Sequence, residues 1–544
     1  MKPVVVAAAI LVLTLLSFVQ FPGHTWIQQD TQIYVPILEH LRDPAVLDKD
    51  MLVLRPHVTF TLYDEVALGL RRLTGWGFRG VLEGQQVATR ALGIWGIYLM
   101  ATGLGLAAEP ALLVAGIFAL GAMIGGPAVM FLELEPNPRG FAVPLLVLGV
   151  GLMAHARYLA AGIAGAAAFL IHPPTVYPFW GVYFCLALKP SKPELMRRRL
   201  YAFVPLLVAA VTLLIASRHQ AGIGEAQIFF ARLTPEQEML QRMRASYVYI
   251  SAWWRDWLPQ YLFLLAATAA GYLRVRREVS PELRFFLLGL PLVGLLSMPV
   301  SWVLLERLKW GLVPQFQPLR ALLFLTLMAQ FTAAAAGCRA AAKRRWAEGL
   351  AWFALAYTIP VNTAILQVPP ANRILVVLLL AAGACLVCAG LARQFRWARP
   401  ALAAAMLAGF FLIPTLGKVV SYPRLHTPAL ARLSAWARTA TPRDAVFLFA
   451  NAGKDLSPGI FRCDALRAVY VDWKGGGQVN YLRELGEMWW TRWQQTMTRP
   501  FAAQDAARLR SLGIDYVVVR PNQRVPGLTP VFENEQFIAY RIAG

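Results

Sequence analysis

The sequence predicts an all-α polytopic transmembrane protein of about thirteen helices, with a long loop after the first span and a C-terminal α/β domain. Three observations predict it. Hydrophobic residues fill 58% of 544 positions and mean hydropathy is +0.51, so lipid is the main solvent. Apolar runs of spanning length begin near residues 3, 88, 110, 141, 158, 175, 201, 259, 285, 321, 347, 372 and 400. Lys and Arg gather in every second connector: Lys189, Lys192 and Arg197–Arg199; Arg274, Arg276 and Arg277; Lys343–Arg345; Arg393, Arg396 and Arg399. That alternation is the positive-inside pattern, and it puts the N-terminus in the cytoplasm.

Taken in order, Met1–Phe21 pairs a lysine with a long apolar run, as a signal peptide does. The bulky Phe21-Pro22-Gly23-His24-Thr25-Trp26 that follows offers no small-residue cleavage site, so the run reads as an uncleaved first span. Residues 22–87 form the first periplasmic loop, amphipathic over Asp30–Arg42 and Thr59–Leu73. Residues 133–139 form a tight turn between two spans. Runs 141–156, 158–171 and 175–188 are short for a straight crossing, as helices are where they line a polar cavity. His172-Pro173-Pro174 caps a hairpin on the loop side. Residues 218–258, rich in Arg, Tyr and Trp, suit an interfacial helix, with Trp253–Trp257 as an aromatic belt. Residues 1–420 make the membrane domain and 421–544 the soluble periplasmic domain. Its strands fall near 445–449, 468–471 and 515–519, a helix over 503–512 leads into the last of these, and 532–542 forms a closing hairpin.

The formal charge of +22 is largely topological. No zinc finger, helix-turn-helix or RNA-binding signature accompanies it, which argues against nucleic acid as a partner and for the bilayer. Cys385-x-x-Cys388 has metal or redox spacing, but it lies mid-helix with no second pair and reads as small-residue packing.

Ionisable groups on the loop side need an explanation. Asp30 stands about nine residues beyond the first span, at the head of an amphipathic helix. There it serves either as an N-cap or as a base that takes a proton from a hydroxyl. Glu133 and Glu135, beside Pro136, either orient an acceptor or a divalent cation, or end a helix in water. Asp48, Asp50, Asp64 and Glu65 read as wet helix faces. Arg139, Arg307, Lys309 and Arg320 are cations on the side the topology rule disfavours. Arg320, directly before a span, either meets a phosphate through its planar fork or snorkels to headgroups. His172 either contacts that phosphate or caps its helix. Gly475-Gly476-Gly477 after Lys474 lacks the ending of a phosphate loop and reads as a turn.

A first span, a long loop opening on an acidic residue, about thirteen spans and a C-terminal α/β domain together resemble the GT-C glycosyltransferases. That superfamily includes protein O-mannosyltransferases, oligosaccharyltransferases and lipid A aminoarabinose transferases. The resemblance implies a cell-envelope enzyme of the inner membrane, active at its periplasmic face. It would move a sugar, with inversion, from a polyprenyl phosphate or pyrophosphate carrier to a glycan, lipid or protein acceptor. It puts the first-loop acid on Asp30; on the residue-level reading above, Arg139, His172, Arg320 and Lys309 would then meet the phosphate and Glu133 or Glu135 the acceptor or a divalent cation. Many relatives carry a second acid beside the first, whereas Asp30 is followed by Thr31, which leaves metal use open. A flippase for lipid-linked sugars would show mid-span charges and two matching halves, and neither is evident. A catalytically silent scaffold is the other rival.

Overall fold

The computed structural model describes residues 1–54, 61–219 and 231–542. Each of the thirteen apolar runs lies in a helix: Pro3–Val19, Phe78–Gly103, Ala108–Phe118, Pro138–Ala154, Tyr158–Ile171, Pro173–Leu188, Phe203–His219, Trp254–Val275, Pro281–Ser301, Leu322–Ala342, Trp346–Val361, Ala371–Ala392 and Ala398–Thr415. Among the described residues, five helical stretches are long and apolar enough to cross a membrane: Pro193–Arg218, Pro281–Arg307, Leu312–Ala342, Ala371–Ala392 and Ala398–Thr415. Proline stands in the first turn of Pro3–Val19, Pro138–Ala154, Pro173–Leu188 and Pro281–Ser301, where its missing N–H costs no hydrogen bond. Leu322–Ala342 is apolar on every face and accordingly sits at the centre, almost wholly buried.

Phe78–Gly103 and Pro138–Ala154 cross at backbone contact. A Cβ on Gly151 would come 2.4 Å from the Gly96 carbonyl oxygen, so neither glycine can be enlarged. This close crossing fixes the start of Pro138–Ala154, and with it Arg139.

The loop after Phe118 departs from expectation. The span beginning near residue 110 ends at Phe118. Gly121 and Gly126 take left-handed backbone, and a hairpin of β1 (Met123–Ile124) and β2 (Val129–Met130) precedes residues 131–137 in place of a tight turn alone. In the first loop the helices are Thr31–Arg42 and Tyr63–Thr74; residues 55–60, on which the expected start at Thr59 falls, lie outside the described residues. So do 220–230 of the expected interfacial segment, whose remainder forms Pro235–Arg244 behind a Thr234/Gln237 capping box. Trp253 and Trp257 pack over Gly126 and Gly125 rather than standing wholly in a belt.

Beyond residue 427, β3 (Val446–Phe449), β4 (Ala468–Val469), β5 (Tyr516–Val519), β6 (Pro530–Glu533) and β7 (Ile538–Arg541) form one sheet in the order β4-β3-β5-β7-β6. β3 runs parallel to β4 and β5, and β7 antiparallel to β5 and β6. Alternation decides the faces. Phe447 and Phe449 meet Leu430, Leu433 and Phe461 and join a core with Ile27, Val35, Leu38 and Tyr63 of the first loop. Val446 and Leu448 face Trp489 and Leu240. Gly459 lets Ser457–Ala465 lie directly on Gln32, since a Cβ there would come 2.1 Å from the Gln32 Oε1.

The α/β unit is fastened to the first loop by a buried ion cluster. Arg462 Nε donates to Asp50 Oδ2 at 2.6 Å and its Nη2 to Asp472 Oδ1 at 2.7 Å; none of the three is more than 2% exposed. Asp50 also accepts the Val469 and Leu52 N–H groups. Asp50 and Asp64 are buried, which corrects their reading as wet faces; a local charge pattern carries no sign of a partner more than four hundred residues away. Removing one member leaves an under-compensated charge in the interior, at a cost of about 3–5 kcal/mol. Asp50→Ala therefore lowers the thermal unfolding midpoint of the detergent-solubilised protein by several degrees, whereas an unchanged midpoint would show that the cluster carries none of the attachment.

Candidate functional site

Asp30, Glu133, Glu135, Arg139, His172 and Arg320 line one cavity of about 480 Å³, between the first loop, the 119–137 segment, the bundle end and the α/β unit. Its volume lies within the range of small-molecule sites. Lys309, expected with them, is not among its lining residues and instead pairs with Glu238.

Asp30 directly precedes Thr31–Arg42, yet its carboxylate makes no cap hydrogen bond. Its Oδ1 instead accepts from Lys474 Nζ at 2.7 Å, and the carboxylate is 39% exposed, toward the cavity it lines. The loop holding it is clamped from across the cavity. Glu135 accepts the N–H groups of Gln28 and Gln29 at 2.7 Å each and of Thr31 at 3.1 Å. Thr25 N–H donates to the Leu134 carbonyl at 2.9 Å, and the Thr31 hydroxyl accepts from Ile27 N–H at 3.0 Å. Thr31, where a second acid was sought, is thus a loop-closing residue.

Glu133 Oε1 accepts Arg139 Nε at 2.7 Å, and its Oε2 accepts Asn137 Nδ2 at 3.3 Å. Both glutamates therefore have their oxygens turned on protein donors. Among the described residues there is no group of three or more His, Cys, Asp or Glu placed to hold a metal ion. Buried Arg90 ties the two loops together: its guanidinium donates to the carbonyls of Ser17 at 2.7 Å, Gly23 at 3.3 Å and Glu133 at 2.8 Å. His172 sits between two helices with Nδ1 2.6 Å from the Thr175 hydroxyl. Arg320 follows the left-handed Gln317, and Tyr177 fixes its turn by donating to the Pro318 carbonyl at 2.6 Å.

Arg244, Tyr247, Lys474 and Tyr481 are among the lining residues that sequence reasoning does not single out as site groups. Lys474 borders the glycine triplet, which forms a turn of 3₁₀-helix, Gly475–Asn480; that adjacency was its one local signal. Arg244 lies over the Trp473 ring at 3.9 Å.

The electrostatics favour an incoming anion. Lys474, followed by Arg139 and Arg320, holds the Asp30 carboxyl far below the ordinary carboxylate range, against the opposing effect of burial. Burial, reinforced by Arg320 and Arg139, pushes His172 well down, so it is neutral at pH 7. Burial raises Glu135, with Asp30 adding to it, and lowers Arg244 to about 10, where it stays charged at neutral pH. Arg139 is answered by Glu133 and Lys474 by Asp30. Among the described residues Arg244 and Arg320 have no carboxylate partner, and the Nε of each is buried and unpartnered. Two guanidinium groups that form no direct carboxylate pair beside a cavity are of the kind that suits an anion. Arg320→Ala and Arg244→Met are each expected to weaken pyrophosphate binding roughly ten- to a hundredfold, the worth of a charge-assisted hydrogen bond, as read by calorimetry at low salt.

Comparison with known proteins bears on the fold. Over 99% of this chain and 98% of the other, the structure matches the crystal structure of ArnT from Cupriavidus metallidurans in the apo state, with a TM-score of 0.52 at 15% identity. ArnT bound to undecaprenyl phosphate matches with a TM-score of 0.50 at 15% identity, over 99% and 98% of the two chains. The cryo-EM structure of the arabinofuranosyltransferase AftD from Mycobacteria aligns with all of this chain but 40% of its own, at 16% identity and a TM-score of 0.46. A family model described as a domain of unknown function, DUF6798, matches residues 428–496. No curated protein sequence matches. The chain therefore has the ArnT fold, a membrane-protein fold, along its whole length.

Proposed function

We propose that this chain is a GT-C-type glycosyltransferase of the inner membrane that moves a sugar from a polyprenyl phosphate carrier to an acceptor hydroxyl. The observation that carries the reading is the meeting of one carboxylate, Asp30, with Arg139, Arg244, Arg320 and Lys474 around a single cavity in a chain of ArnT fold. The expected thirteen crossings and the periplasmic placement of the site belong to the same proposal. They are supported by the course of Leu322–Ala342, which starts beside Arg320 and ends at the Lys343–Arg345 cluster.

In this mechanism the acceptor oxygen attacks the anomeric carbon from the face opposite the phosphate. The carbon–oxygen bond to phosphate breaks, its electron pair leaves on the phosphate, and the hydroxyl proton passes to Asp30. Arg320, Arg244 and Lys474 meet the charge that develops on the leaving phosphate. Arg139 lies within reach but is already paired with Glu133, so Glu133 sets its orientation. Glu135 sets the backbone that carries Asp30. Neutral His172 reads as a hydrogen-bonding contact for a phosphate oxygen.

Lys474 has a double task. Pinned by its ammonium, Asp30 binds protons poorly and is a weak base. A donor phosphate competes for that ammonium, and as Lys474 turns toward the phosphate, Asp30 loses its main counter-charge and gains proton affinity.

Two outcomes test the reading. With purified protein and polyprenyl-phosphate sugars, Asp30→Asn lowers turnover by about 10²–10⁴ while undecaprenyl phosphate still binds. Equal turnover in wild type, Asp30→Asn and Arg320→Ala overturns it. The second concerns pH. Activity falls on the acid side as Asp30 takes up a proton, so Lys474→Met moves the acid limb of kcat/KM, which reports the free enzyme, to higher pH. The acid limb of kcat, which reports the donor-bound enzyme, moves much less. Equal displacement of both limbs contradicts the transfer of Lys474 from Asp30 to phosphate.

A further inference from the structure

The opposite end of the bundle holds a second and larger hollow, about 770 Å³, where Ala108–Phe118 begins and Leu322–Ala342 and Ala371–Ala392 end. Leu322–Ala342 has 21 residues and separates it from the candidate site by about 30 Å. Arg339, Lys343, Arg396 and Arg399 line it, with Glu109 the one carboxylate among its described lining residues. Arg339 donates to the carbonyls of Val275 and Leu104. Arg399 stands 3.9 Å from Glu109, a loose pair. Lys343 and Arg396 are exposed and make no ion pair among the described residues.

Topology alone accounts for an excess of cations at this end. It does not account for cations of two separate connectors converging on one concavity, nor for what adjoins it. Glu109 and Arg399 also line an apolar groove of about 490 Å³, walled by Val5, Val12, Leu112, Leu402 and Ala403 of Pro3–Val19, Ala108–Phe118 and Ala398–Thr415. A cationic hollow thus opens onto a greasy channel running along the bundle.

The geometry points to a binding site for an anionic phospholipid. Its phosphate lies among Lys343, Arg396 and Arg399, and one acyl chain fills the groove between Pro3–Val19 and Ala398–Thr415. Such a headgroup matches the cations, and a zwitterionic lipid brings an ammonium that Lys343 and Arg396 repel; basic hollows between membrane helices take anionic headgroups for this reason. The acyl chain covers apolar side chains that the protein itself leaves unpacked. The lipid would brace the first helix against Ala398–Thr415, and the other end of that first helix leads into the loop that bears Asp30. The inference does not depend on the proposed reaction.

The test uses delipidated full-length protein in detergent, titrated with phosphatidylglycerol, phosphatidylcholine or inorganic phosphate and read by native mass spectrometry. Phosphatidylglycerol is expected to bind at least about tenfold more tightly than phosphatidylcholine. The double variant Lys343→Ala, Arg396→Ala loses roughly twenty-five-fold, about fivefold per cation. Ala403→Trp, which fills the groove without changing charge, weakens binding as well, and Arg197→Ala, Arg198→Ala, at the same end but outside the hollow, leaves it unchanged. Equal binding of the two lipids overturns the proposal, as does an equal loss in the Arg197/Arg198 control. Inorganic phosphate that competes as strongly as the lipid also overturns it, since that marks a simple anion site.

Discussion

The buried contact of Arg462 with Asp50 and Asp472 is the constraint on which the rest of the architecture depends. One guanidinium faces two carboxylates with almost no water, so the attraction is strong and so is the cost of losing a partner. Its geometry matters as much as its energy. Asp50 belongs to the first loop and Arg462 to the α/β unit, and Asp472 stands two residues before Lys474. The cluster therefore sets the position of the turn from which Lys474 reaches Asp30. Gly475 N–H donating to Asp472, and Trp489 Nε1 donating to the Asp472 carbonyl, make the same turn rigid from its other side. A charge cluster outside the cavity thereby decides which charges lie inside it.

Around the cavity the acids are employed in order. Glu135 is spent on three backbone N–H groups and Glu133 on Arg139 and Asn137, which leaves Asp30 as the carboxylate turned to a mobile partner, a lysine ammonium on a flexible stem. The cations follow the opposite logic: Arg244 and Arg320 are held by packing and aromatic faces instead of carboxylates. Their desolvation is only partly compensated within the protein, which an arriving anion can repay. Burial, with the nearby Arg320 and Arg139 guanidinium groups, likewise leaves His172 neutral, since there is no room for another positive charge.

Much of this was legible in the sequence, for physical reasons that also mark where legibility ended. Hydropathy is a local property, so all thirteen apolar runs emerge as helices. The short run 158–171 coincides with Tyr158–Ile171 to the residue. Alternation in 445–449 and 515–519 likewise marks β3 and β5. Asp30, Arg139, His172 and Arg320 were found because topology makes a charge at the wrong end of a span conspicuous. Lys309 satisfied the same criterion, but Glu238, from a distant helix, neutralises it. Lys474 and Arg244 were missed because each lies in an ordinary polar stretch, and only the folded chain brings them to Asp30 and Trp473. Asp50 failed in the other direction, an acid in a loop whose partner nothing nearby in sequence announces.

Thr31 shows how these levels combine. With a carboxylate at 31, Asp30, Glu135 and the new acid would crowd one turn of backbone, and the proximity of like charges would raise all three proton affinities. A further cation would then be needed. Here the hydroxyl closes the loop on Ile27 N–H, its own N–H goes to Glu135, and a single ammonium, Lys474, balances the single free carboxylate. One acid beside one lysine is a simpler electrostatic unit than two acids around a cation. Its counter-charge is built into the α/β unit and stays with the protein under all ionic conditions. The attachment of that unit and the chemical state of Asp30 are consequently a single physical question, joined through the one residue, Trp473, between Asp472 and Lys474.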